Sequence, residues 1–120
     1  MNTTVRNGEA LSLAKISIAV RKLGLYRNCK ANKRLIYAIF LVVENESRLE
    51  AVIKEVYMPV AEKYGCSWGA VERCVRESIN RIWISNHAEL CELANAQLTK
   101  PPTPAELLDI LAIYIISTEL

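Results

Sequence analysis

The stretch "YMPVAEKYGCSWGAVERCVR", residues 57–76, sets two short apolar periods against each other across a turn. Two helices that meet at such a turn need a small residue where the second crosses the first. The turn itself needs a residue that accepts positive φ, and both helices need apolar groups facing inward. Ala61 supplies the crossing, Gly65 the turn four residues later, and Val60, Tyr64, Cys66, Val71 and Cys74 the inward positions. Ser67 stands where the second helix needs a cap. The pattern predicts a helix-turn-helix.

The second helix continues through "GAVERCVRESINRIW" to Trp83. From Trp68 on, Val71, Val75, Ser78, Ile79 and Ile82 fall on one stripe, the spacing of a helix face that meets a core. Gly69, Arg73, Arg76 and Asn80 fall on the opposite side, with Glu72 and Glu77 on its flanks. Arg73 and Arg76 each carry a fork of donors that matches guanine O6 and N7, and Glu72 can accept from cytosine N4. The plainer reading is a solvated helix with Glu72 and Arg76 as an i,i+4 ion pair. The two are compatible, because such a pair holds the arginine ready in the free protein.

Outward from this motif, helix signals recur and no segment shows the alternation of a strand, so the expected fold is all-α, a compact bundle of about six helices. A first helix is expected from about Glu9 to Leu23, stopped by Gly24. The basic loop "YRNCKANKR" leads into a buried helix around "LIYAIFLVV" (35–43). Ser47 with Glu50, Asn86 with Glu89, and Thr103 with Glu106 read as capping boxes, and Pro104 suits the first position of the last helix. That helix, "LLDILAIYII", is apolar on nearly every side except at Asp109, which predicts that it is wrapped by the core or shared with another subunit.

At 120 residues and 52% apolar composition, the chain suits one domain spanning 1–120, with flexibility expected only in residues 1–8. The longest apolar run has nine residues against the roughly 20 needed to span a bilayer, and "MNTTVRNGEALSLAKIS" lacks the form of a signal peptide. A cytoplasmic protein away from membranes is expected. The net charge of +2 conceals an asymmetry: residues 1–34 carry eight basic residues against Glu9 alone, a net of +7, leaving −5 for the rest. A basic end of this kind suits either solvent or an anionic partner, nucleic acid being the usual one.

Cys29, Cys66, Cys74 and Cys91 form no CxxC pair and read as small hydrophobes. A zinc site from Cys66, Cys74, His87 and Cys91 would lack the short ligand spacing of structural zinc, so no metal or cofactor is expected. His87, the single histidine, has no Ser or Asp arrangement beside it, and no glycine-rich phosphate loop is present. A non-enzyme is expected.

From about Ile16 to the end, the chain resembles the DNA-binding effector domain of the stage zero sporulation protein A family, response regulators that commit endospore formers to sporulation. The likeness lies in "LG" at Leu23 and Gly24, Lys30 in the basic loop, "VY" at Val56 and Tyr57, and "AEKY" at Ala61–Tyr64. It continues in "VER" at Val71–Arg73, Arg76, Trp83, and "PT" with Glu106. The resemblance implies a six-helix domain, base reading by Glu72, Arg73 and Arg76, a target related to TGTCGAA, and a place near the phosphates for Lys30. Ser67 and Asn80 complete the expected DNA-binding set.

Three departures qualify the likeness. Gly69, Ala70 and Glu77 stand where the family tends to polar or basic residues, and the last helix ends in "AIYIISTEL". The single aspartate, Asp109, offers no phosphoacceptor, so the expectation is a free-standing effector domain without a receiver. Expected partners are double-stranded DNA, a second copy joined through Ile113, Ile115 and Ile116 of the last helix, and RNA polymerase or a full-length relative. The rival reading is an interaction module or antagonist that kept the fold and binds DNA weakly.

Overall fold

Two apolar helices meet at the centre of the molecule. In the computed structural model, which describes residues 3–118 and side chains from Gly8 on, α2 (Lys30–Glu44) packs most extensively against α6 (Pro104–Thr118). α2 buries Leu35, Ala38, Ile39, Phe40, Leu41 and Val42, and α6 buries Leu107, Leu108, Leu111, Ala112 and Ile115. Each of the larger side chains among them contributes about 1.5–3 kcal/mol when taken from water. Around this pair stand α1 (Thr3–Lys22), α3 (Met58–Tyr64), α4 (Trp68–Ser85) and α5 (His87–Ala94). No strand occurs among the described residues, and the six α-helices form a compact all-α bundle with a radius of gyration of 13.6 Å.

Helix ends follow local chemistry where the needed groups lie close in sequence. α1 stops at Gly24, φ +88°, with Leu25 N–H donating to Val20 O at 3.2 Å and Gly24 N–H to Arg21 O at 2.9 Å. This is the paired closure that a left-handed residue after a helix permits. A Cβ on Gly24 would also meet the carboxamide of Asn86, which would have to shift. At the start of α6 the expected box closes: Glu106 N–H donates to Thr103 Oγ1 at 3.2 Å and Thr103 N–H to Glu106 Oε1 at 2.8 Å.

Elsewhere the structure departs from the sequence reading. α1 starts at Thr3 rather than near Glu9, and of residues 1–8, Met1 and Asn2 lie outside the described residues. This extension carries no apolar stripe by which periodicity could reveal it. The basic loop is shorter than expected because Lys30–Arg34 already form the first turns of α2, with Asn32 buried and donating to Arg27 O at 2.7 Å. Asn86 opens α5 without a side-chain cap.

The Ser47–Glu50 box is replaced as well. Asn45 Oδ1 accepts from Ser47 N–H at 3.1 Å and from Ser47 Oγ–H at 2.7 Å. The chain then runs as a 3₁₀ helix (Glu46–Ala51) and a π-helical turn (Ile53–Tyr57) into α3. Such turns leave carbonyls poorly matched. Arg48 meets one of them, donating from Nη1 to Glu55 O at 2.7 Å while its guanidinium lies 3.7 Å from the Glu55 carboxylate.

Candidate nucleic-acid interface

α3 and α4 are joined by Gly65, Cys66 and Ser67. Gly65 takes φ +66°, Cys66 N–H donates to Ala61 O at 3.0 Å, and Ser67 Oγ accepts from Ala70 N–H at 3.1 Å. Val60, Ala61, Val71 and Cys74 are buried, while Tyr64 and Cys66 are half-buried. The whole stripe of α4, Val71, Val75, Ser78, Ile79 and Ile82, faces the core. Ser78 is tolerated there because its hydroxyl donates to Cys74 O at 2.9 Å.

The other side of α4 is open. Arg73, Arg76, Glu77 and Asn80 are exposed, and Glu72 is half-buried. Arg76 Nη2 lies 3.6 Å from Glu72 Oε2, with the two side chains 60% and 31% exposed. An exposed pair of this kind is worth at most about 1 kcal/mol to the fold. Its consequence is geometric: it orients the arginine. Tyr57, buried at the start of the motif, has its phenol pushed up to about 12, first by burial and then by the Glu72 carboxylate, against a lowering by Arg76.

Ser67 is exposed at the start of α4, its oxygen engaged in the cap. Lys30 is exposed at the first position of α2, which packs against α4. Two of the basic residues are engaged within the protein. Lys22 donates to Tyr114 Oη at 3.1 Å, and Arg34 reaches from α2 to Cys74 of α4, Nη1 to Sγ at 3.6 Å. The Cys74 contact raises the Arg34 pKa above its ordinary value against the opposing effect of desolvation. Arg34 thus ties α2 to α4. Nothing local marks this role, since 40 residues separate the partners.

The four residues weighed for zinc fall into two separate environments. Cys74 accepts from Arg34, whereas His87 Nε2 bonds Leu98 O at 2.9 Å and Cys91 Sγ accepts from Leu98 N–H at 3.4 Å. Among the described residues no group of three or more His, Cys, Asp or Glu side chains is arranged to hold a metal. No helix among them is long and apolar enough to cross a membrane.

A buried stripe, a glycine turn, a capped second helix and an outward row of arginines define a helix-turn-helix domain of the DNA-binding class. The family model described as sporulation initiation factor Spo0A C terminal matches residues 16–115, and the chain belongs to that family. The family is a DNA-binding effector domain, so the chain is a DNA-binding regulatory domain associated with transcription and sporulation.

Proposed function

We propose that residues 1–120 act as one effector domain that regulates transcription by reading a short TGTCGAA-like box in the major groove. Arg73 and Arg76 each donate to a guanine, Glu72 accepts from a cytosine, and Asn80 is suited to adenine N6 and N7. Ser67 and Lys30 bind the sugar-phosphate backbone. The observation that carries this reading is the exposure of Arg73 and Arg76 on the side of α4 opposite its buried stripe. The test is binding to a labelled TGTCGAA duplex and to a scrambled duplex at one salt concentration. Tighter binding to the first is expected, and equal binding would overturn the reading. Raising salt should weaken binding to both duplexes, and Lys30→Ala should reduce the slope of log K against log salt by about one.

A second reading concerns assembly. Ile113 on α6 is 53% exposed, whereas Ile115 is buried in the core and Ile116 half-buried. A dimer through α6 would therefore use Ile113 and not Ile115. Sedimentation at micromolar concentration tests it: Ile113→Glu should shift a dimer to monomer, and a parent that is monomeric throughout would exclude it. RNA polymerase or a full-length relative as partner, and action in the cytoplasm, belong to the same regulatory reading.

A further inference from the structure

The two tryptophans of the chain have opposite surroundings. Trp83 packs against the core, and its ring lies 3.8 Å from that of His87. Trp68 is 39% exposed at the first position of α4. It stands four residues before Glu72, which is paired with Arg76, and seven before the buried Val75, so it prolongs the buried stripe at the N-terminal end of α4, where it is left partly uncovered.

Gly69 beside it is equally unexplained by the fold. Glycine disfavours a helix, yet a Cβ at this position would meet nothing closer than Ser67 Oγ at 4.0 Å. No packing within the protein requires its absence. With Ala70 the first turn of α4 is uncharged, small, and carries one large apolar side chain. This is an unusual surface to present to a polyanion, unless it enters the groove and leaves the phosphates to other residues. In the major groove the one apolar group on a base edge is the C5-methyl of thymine.

We propose that Trp68, with the bare backbone of Gly69 allowing close approach, is a specificity-determining contact to a thymine methyl group in the target box. The inference rests on the DNA-reading role of α4 and adds a base class that the charged residues do not read. It also ties the departure from the family's polar or basic residues at Gly69 and Ala70 to a change in what the first turn reads.

The experiment compares duplexes carrying the box with each thymine replaced in turn by deoxyuridine, which removes only the methyl, or each guanine by 7-deazaguanine, which removes the N7 acceptor. Binding is measured by fluorescence anisotropy at fixed salt. For the parent protein, deoxyuridine at one or more thymines should weaken binding about fourfold, the effect of one methyl group left in water. Trp68→Ala should abolish that difference while remaining folded by circular dichroism and sensitive to 7-deazaguanine. Trp68→Phe should keep part of it. Equal binding of the parent to thymine and deoxyuridine at every position, with 7-deazaguanine still costly, would overturn the thymine contact and leave the guanine reading intact. Persistence of the deoxyuridine effect in Trp68→Ala would assign the methyl to another side chain and overturn the proposal. Insensitivity to both analogues would remove the reading role of α4, and the thymine contact with it.

Discussion

α4 and α6 both pack on α2, yet they divide their surfaces differently. α4 buries a single stripe, Val71 to Ile82, and presents Arg73, Arg76, Glu77 and Asn80 to solvent. α6 is enclosed by α1, α2, α4, α5 and the 3₁₀ turn. It buries Leu107, Leu108, Leu111, Ala112 and Ile115, half-buries Ile110, Tyr114 and Ile116, and leaves Ile113 as its one strongly exposed large apolar residue. In α6 almost every substitution touches the core. In α4 half of the helix is free of the fold, which is why its exposed face can change without unfolding the domain.

The largest effect should come from the enclosed helix. Leu111 is 1% exposed, and Leu111→Ala should cost about 2–5 kcal/mol in urea unfolding, the range for a large-to-small change in a packed core. A loss well under 1 kcal/mol would mean that α6 is not the centre described here. On α4 the prediction divides. Arg73→Ala or Arg76→Ala should each cost about 1–3 kcal/mol of binding to the matching box and little on a scrambled duplex, with stability within about 0.5 kcal/mol of the parent. Equal losses on both duplexes would reduce the arginines to phosphate contacts.

Ser67→Ala sharpens the boundary between the two roles. It removes the acceptor for Ala70 N–H and should lower stability by about 1 kcal/mol in the same urea assay. The smallest effect is expected at the start of α6. The Thr103 backbone N–H, and then its hydroxyl, hold the exposed Glu106 carboxyl below its ordinary value. Because the folded pKa is depressed, the stabilisation is present above the unfolded carboxylate pKa and is lost as pH falls through the folded one. Glu106→Gln should therefore show a slightly smaller fall in melting temperature between pH 7 and pH 3 than the parent. An equal fall would leave the box without an ionic component.

The helix-turn-helix motif was legible because its parts are local. Ala61, Gly65 and Ser67 act on groups within five residues of themselves, and the stripe of α4 repeats over about three turns. The same holds for Gly24 at the end of α1 and for the Thr103–Glu106 box. The 3₁₀ and π turns before α3 were not legible, because Ser47 and Glu50 satisfy a local rule that Asn45 meets first. Trp68 went unremarked in the sequence as a surface residue, since apolar residues on helices are ordinarily buried and only exposure distinguishes it from Trp83.

The sequence by itself therefore determined the all-α class, the helix-turn-helix and the side of α4 that carries the arginines, since each follows from short-range hydrogen bonding and a 3.6-residue period. Only the tertiary structure decided which charges remain free. Arg34 is drawn to Cys74 across 40 residues and Lys22 to Tyr114 across 92, and Asn86 stands beside Gly24. Such contacts form where helices distant in the chain are brought together by the burial of their apolar faces. No window of sequence contains both partners.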